Sequence, residues 1–302
     1  MVLATFLLSL LMQLLPGDPA QILVPNALPE ALVEIRRLTG LDRGPIGYYW
    51  HWLSGMLRGD FGNYFNGLAL SPLSSTLKGS LPVTLLIILY TQIVALTFSV
   101  PLGLISAYRE NSRFDRAVQA VLFSISSIPG FAMGLLLSLI LAVKLGWLPP
   151  LGYVSPGDNF GEHLRLMIMP ILSLAIGPIA SYTRLLRADV IATLKEDYVT
   201  MAASKGISNR RVLWRHVLRP SSTTLLTSAA LNMGALIGGT VIVEVIFQIP
   251  GIGYEISYAI GARQVIAIQT YVAIIAFGYV FFNSLVDILA NIIDPRTRER
   301  RV

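Results

Sequence analysis

Apolar residues fill most positions of five long stretches, roughly 81–107, 118–143, 164–186, 223–247 and 266–292, and of a shorter one at 1–15. A bilayer-crossing helix needs about 20 such residues, so the long stretches predict five crossings. Residues 1–15 are shorter than that, and no Lys or Arg precedes them as in a signal peptide. They run into a helix stop, Leu15-Pro16-Gly17-Asp18-Pro19, rather than a small-residue cleavage site. We read 1–15 as a first membrane helix whose beginning is cut short, which makes six crossings. Pro82 fits the first turn of the second crossing, and Pro101 is expected to kink its far end. Ser126, Ser127 and Pro129-Gly130 interrupt the third, Pro170 and Pro178 lie inside the fourth, and Gly238-Gly239 loosen the fifth. Phe247 to Gly253 (FQIPGIG) forces a turn before the sixth.

The polar stretches between the apolar ones set the sidedness. Residues 16–79 form a long connector in which acids and bases balance, with a short helix expected near Glu30–Leu38. A connector this long is not expected to be plain coil. Charge balance suits the outer face, as do Trp147, Pro149, Pro150 and Tyr153 in the loop after the third crossing. The 109–116 turn, the 184–219 loop and the 296–301 tail carry fifteen of the 23 Lys+Arg. Cytoplasmic loops collect positive charge, so both termini are expected in the cytoplasm.

Composition agrees. Of 302 residues, 54% are hydrophobic and 13% charged, against about 25% charged in a soluble domain. The mean hydropathy is +0.65. The net charge of +6 is spread over short loops between apolar spans, which speaks for membrane lipid and against nucleic acid. With Cys 0 there are no disulfides, thiolate metal sites or cysteine nucleophiles.

One polar stretch is patterned like structure. Residues 197–220 read DYVTMAASKGISNRRVLWRHVLRP. Val199, Ala202 and Ala203, then Val212, Leu213 and Val217, recur at helical spacing. Gly206 stands between the two runs, where a left-handed cap stops a helix; Ser208 or Asn209 can cap the next one, and Pro220 suits the first turn of the succeeding apolar span. The expectation is two short helices joined by a tight turn. Ala202, Ala203, Ser204 and Gly206 offer a surface that another protein can approach closely.

This stretch resembles the EAA loop of binding-protein-dependent ABC importer permeases in its peptide-transporter form. The resemblance is carried by Asp197-Tyr198-Val199, Ala202, Lys205-Gly206, Val212, His216 and Arg219-Pro220, with Met201 loosening the usual acid-Ala-Ala order. It extends over nearly the whole chain, through LPGDP at 15–19, Gly59-Asp60-Phe61-Gly62, Leu81-Pro82 and Thr84, Ser127-Ile128-Pro129 and Gly146-Trp147-Leu148-Pro149. It continues at Glu244, Phe247, Pro250-Gly251-Ile252-Gly253, Asn283, Asp287 and Asp294-Pro295-Arg296. Two departures are the missing basic N-terminus and Gln264, which stands where the family commonly has an acid.

The resemblance implies an all-α membrane protein with the six-helix fold of a type I ABC importer permease and a long outer connector after the first helix. Its parts are 1–15, first membrane helix; 16–79, extracytoplasmic connector; 80–293, permease core including the 197–220 coupling loop; and 294–302, cytoplasmic tail. It implies the first permease subunit of a dipeptide or oligopeptide importer in a bacterial inner membrane. The partners would be a homologous second permease, two cytoplasmic ABC ATPases that bind the ATP, and an extracytoplasmic substrate-binding protein. The ATPase-coupling residues would be Asp197, Tyr198, Ala202, Ala203, Lys205, Gly206, Val212, His216, Arg219 and Pro220. Nickel and glutathione importers share this permease type.

The residues themselves add mostly exclusions. There is no GxxxxGK[ST] phosphate loop, so the chain is expected to bind no ATP. His51, His163 and His216 lie far apart without ligand spacing, and no Ser/His/Asp arrangement stands out, so neither a metal site nor an enzyme is expected. Glu244 and Asp287 sit near or within apolar spans, where an acid is costly; we expect Glu244 to reach water or a neighbouring helix and Asp287 to pack with Asn283. A stand-alone secondary transporter or channel would need an internal repeat or buried ion-coupling groups, and no repeat is visible. A non-transporting membrane anchor is the remaining alternative.

Overall fold

The computed structural model describes residues 2–13, 20–21, 28–66 and 69–293. The LPGDP run at 15–19 and the 294–302 tail lie outside this set, as do the side chains of Ala203 and Asp287. The chain divides into two compact units, residues 1–85 with 248–278, and 86–247 with 279–302.

In the first unit, α1 (Val2–Gln13) is followed by α2 (Pro29–Thr39), which starts on a proline and ends at Gly40 with a φ of 74°. Next come α3 (Gly44–Leu57) and an antiparallel hairpin, β1 (Asn63–Asn66) and β2 (Ala69–Pro72), with Asn63 opposite Pro72. The first turns of α4 (Leu73–Tyr108), then α10 (Ile252–Gly261) and the first half of α11 (Val265–Ile293), complete it. The connector is therefore far more structured than the single expected helix. Helix α3 buries Tyr48, Tyr49 and Trp52. Tyr48 and Trp52 have their polar ends satisfied: Tyr48 donates to Gln269 Oε1 at 3.0 Å and Trp52 Nε1 to Thr270 Oγ1 at 3.0 Å. Gln264, the departure from family pattern, accepts from Phe65 N–H at 3.0 Å and donates to Phe65 C=O at 2.9 Å. It acts as one rung of a third strand on the hairpin edge.

In the second unit, the rest of α4 packs with α5 (Arg113–Ser126), α6 (Gly130–Lys144), α7 (Phe160–Leu194), α8 (Asp197–Ser204), α9 (Asn209–Phe247) and the end of α11. Small residues set the close crossings. A Cβ on Gly103 of α4 would sit 3.1 Å from Leu186 Cβ of α7, and one on Gly234 of α9 would lie 3.3 Å from Asn283 Oδ1 of α11.

Several expectations change. Pro82 lies inside α4, which starts at Leu73, rather than in a first turn. The third crossing is not one rod: α5 and α6 meet at 96° across Ser127-Ile128-Pro129. Proline disfavours helical backbone in the residue before it, and Pro129 itself is extended, with ψ 141°. The fourth and fifth apolar stretches are the lipid-length parts of much longer helices, of 35 and 39 residues. Among the described residues four helices are long and apolar enough to cross a bilayer, or five with the bent pair counted as one crossing. The expected sixth crossing falls on α1, whose 12 residues are fewer than the about 20 of a span. Glu244 is fully buried, so it meets neighbouring groups and not water.

Candidate functional site

The 197–220 stretch begins where α7 stops. Val199 and Thr200 N–H donate to Glu196 C=O at 3.0 and 3.3 Å, which restarts the helix as α8. Gly206 ends it with a φ of 73°. Ile207 N–H reaches back to Ala202 C=O at 3.4 Å, the six-to-one bond of a Schellman cap. Ser208 comes next in extended geometry as the residue before α9, with Val212 N–H donating to its carbonyl at 3.0 Å and its hydroxyl making no cap bond.

The second half departs from expectation. No short helix ends before Pro220; α9 runs unbroken from Asn209 to Phe247. Pro220 is inside it, three residues after a π-helical segment, Val212–Val217. An interior proline lacks an N–H and its ring presses on the carbonyl four residues back, here His216. Just before the proline the ladder is of the wider π type, with Leu218 N–H bonding Leu213 C=O rather than the Trp214 C=O of an α-helix.

The stretch has two faces. Val199, Ala202, Val212 and Val217 are buried in one cluster with Ala95, Leu104 and Ala107 of α4, Tyr182, Leu186 and Val190 of α7, and Leu225 and Ala229 of α9. Each buried valine contributes about 1.5–3 kcal/mol, so α8 is seated on the helix bundle. On the other face Asp197, Tyr198, Met201, Lys205, Gly206, Arg219 and Pro220 are exposed, and His216 is half-buried. Of the sequence-selected residues, Ala202 and Val212 thus serve the seat, and the rest whose side chains are described lie on or near the free face. Polar bonds fasten the seat at both ends: Asn209 Nδ2 donates to Tyr108 Oη at 2.7 Å, and Ser221 Oγ to Thr193 Oγ1 at 2.8 Å.

Two neighbouring features carry almost no local sequence signal. Arg187 of α7 grips Asp115 of α5 through two bonds, Nε to Oδ1 at 2.7 Å and Nη2 to Oδ2 at 2.6 Å. Asn111, at a φ of 61°, adds its N–H to Asp115 Oδ2 at 3.0 Å, and Ser112 Oγ caps α5 by accepting from Asp115 N–H. Deeper in, Gln92 of α4 accepts from Tyr182 Oη at 3.1 Å and donates to Ala229 C=O, joining α4, α7 and α9. The local sequence shows only two acids, Glu110 and Asp115, among Arg109, Arg113 and Arg116, and does not say which of them an arginine elsewhere holds.

Residues 99–299 match the family described as binding-protein-dependent transport system inner membrane component. The chain belongs to that family. The permease is 35% identical over 299 residues to a putative peptide transport system permease protein of Brucella abortus, covering 99% of this chain and 95% of that one. It is 34% identical over 295 residues to the oligopeptide transport system permease protein AppB of Bacillus subtilis, covering 97% and 93%. With the glutathione transport system permease protein GsiC of Escherichia coli K12 it shares 31% over 293 residues, covering 97% and 92%. Among solved structures, a chain of the MetNI methionine ABC transporter in an inward-facing conformation superposes with a TM-score of 0.58 at 14% identity, over 72% of this chain and 96% of that one. A chain of an amino acid ABC transporter superposes at 0.53 and 15% identity, over 72% and 94%. The permease therefore has the type I ABC importer fold and is a multi-pass inner-membrane component of such a system.

Proposed function

We propose that the permease forms half of the pathway of an ATP-driven peptide importer. It pairs with a homologous second permease, receives peptide from an extracytoplasmic binding protein, and is driven by two cytoplasmic ATPases. The chain itself binds no ATP, holds no cofactor and catalyses no reaction. Residues 16–79 face outward, and both termini and the 197–220 loop face the cytoplasm. The observation that carries this reading is the two-faced coupling stretch. A short helix seated in the bundle through Val199 and Ala202, with Tyr198, Met201 and Lys205 free, can pass a push from a soluble partner to α4, α7 and α9. A motor shifts the bundle between states only through unequal contact energy with those states, and this helix is where such contact enters.

The peptide assignment is supported by the peptide permeases among the relatives. Glutathione, itself a short peptide, is the second reading and is favoured by the 31% identity to its permease. Proteoliposomes holding both permeases, both ATPases and the binding protein test both readings. Uptake of labelled dipeptide is expected only with ATP and the binding protein present. Uptake without ATPase subunits would refute the proposal, and exclusive uptake of glutathione would select the second reading.

A further inference from the structure

Helix α3 of the connector is apolar on two sides. Its inner side holds the buried Tyr48, Tyr49 and Trp52. On the opposite side Ile46, Trp50 and Leu57 are 64%, 59% and 80% exposed, although a tryptophan normally hides most of its rings. With Leu53 they recur at helical spacing and form one stripe about 16 Å long. Gly47, His51, Ser54 and Gly55 make a third strip, small and polar. No Asp, Glu, Lys or Arg occurs within the helix. Charges stand only past its ends, Asp42 and Arg43 before it and Arg58 and Asp60 after it, all four exposed.

The inner side fixes the depth of the helix. Val265–Ser284 is the part of α11 long and apolar enough to cross a bilayer. Tyr48 and Trp52 bond Gln269 and Thr270, and Tyr49 and Trp52 pack with Ala273. Those α11 residues lie about 6–12 Å inside the span, at 1.5 Å per residue. A helix lying in the membrane surface sinks its apolar face by about 5–10 Å, so the two depths agree. The neighbouring α1 also lacks charged residues and exposes Leu3, Leu7 and Leu11. It is tied to α3 by a 2.9 Å hydrogen bond between Thr5 and Tyr49 and by the edge of Phe6 on Tyr49. A protein interface would surround its apolar core with a polar rim; this stripe runs unbroken to the ends of the helix. Each end then carries one Arg and one Asp, which complement the phosphate and the ammonium of a zwitterionic lipid headgroup.

We infer that α3 is an interfacial helix of the outer leaflet, with Ile46, Trp50, Leu53 and Leu57 against acyl chains and the Asp/Arg pairs at its ends on zwitterionic headgroups. The connector is therefore partly sunk in lipid, and α3 anchors α2 and the β-hairpin at the bilayer surface. The choice of leaflet rests on the proposed orientation of the chain; the lipid contact does not.

The natural chain contains no cysteine, so Trp50→Cys, Leu57→Cys and Ser54→Cys each give the permease one nitroxide-labelling point. The labels are read by electron paramagnetic resonance in the full complex, in nanodiscs of phosphatidylethanolamine and phosphatidylcholine. Positions 50 and 57 are expected to be open to oxygen and shielded from a water-soluble nickel chelate, at a depth of about 5–10 Å, with position 54 open to the chelate. Chelate access at 50 and 57 would overturn the inference, because the stripe would then face water. Exclusion of both reagents there would overturn it in favour of a protein neighbour. As an independent arm, Trp50→Phe is expected to remove part of the tryptophan fluorescence that dibrominated lipid quenches; an unchanged quenched fraction would also overturn it. A membrane-impermeant maleimide added to spheroplasts is expected to label Ser54→Cys. Labelling only after lysis would overturn the outer-leaflet assignment together with the proposed orientation, whereas failure of the depth readings alone leaves that orientation standing.

Discussion

Replacing Arg187 with Ala removes the fork that holds Asp115. The carboxylate is 3% exposed and the guanidinium 22%, so the arginine side is partly wetted and the acid is not. Deleting one partner of a buried pair costs about 3–5 kcal/mol, because the other charge is left uncompensated. Asp115 keeps the Asn111 N–H, and water can enter where the arginine was, which places the expected cost near about 3 kcal/mol. That corresponds to roughly a hundredfold in the folding equilibrium. Asp115→Asn with Arg187→Leu leaves no stranded charge, so the double variant should cost less than Arg187→Ala alone. The assay is denaturant titration of the detergent-solubilised permease, tracked by helical circular dichroism. A loss below about 1 kcal/mol for Arg187→Ala, the size of an exposed pair, or a double variant worse than the single, would refute the reasoning.

The same geometry gives three further outcomes. Gln264→Ala strands the Phe65 N–H and C=O, each costing about 1–3 kcal/mol; faster hydrogen exchange confined to the 63–72 hairpin would report it, and unchanged protection would refute the third-strand role. Gly103→Val drives a methyl-bearing carbon against Leu186 and the Thr183 carbonyl, which should cost about 1–3 kcal/mol; the same titration reads it, and a neutral result would mean α4 and α7 are less tightly crossed. Glu255, on α10, has its carboxyl pushed above the ordinary glutamate range by burial, with the Tyr64 hydroxyl opposing. A raised acid stabilises the fold below the unfolded value, and that contribution is lost as pH rises from about 4.5 through the folded value. Glu255→Gln should therefore flatten stability against pH in that window, and a slope identical to the natural chain would contradict the assignment.

Much of this architecture was legible along the chain because apolar runs of bilayer length leave few alternatives. The end of α8 was legible too, since a lone glycine after a periodic run is the local signature of a left-handed cap, and Gly206 adopts one. The continuation of α9 through Pro220 was not, because proline normally starts or stops helices and the π segment just before it has no sequence signature. Helix α10 was hidden behind FQIPGIG, which reads as turn alone. The grip of Arg187 on Asp115 joins residues 72 positions apart, and the Gln264 rung joins residues 199 apart; neither distance leaves a local period to read. Which face of 197–220 is seated and which is free came only from the bundle around it.

The central proposal is that the bundle moves when a partner ATPase pushes the 197–220 stretch, and the ratio of peptide imported to ATP hydrolysed measures this most directly. Gly206→Asp is the sharpest perturbation. Nothing lies within 4 Å of a Cβ at that position, and aspartate tolerates left-handed backbone better than most residues, so the turn persists while a carboxylate enters the proposed docking face. In the assembled complex we expect ATP hydrolysis to continue while uptake per ATP falls at least tenfold; an unchanged ratio with full assembly would contradict the account.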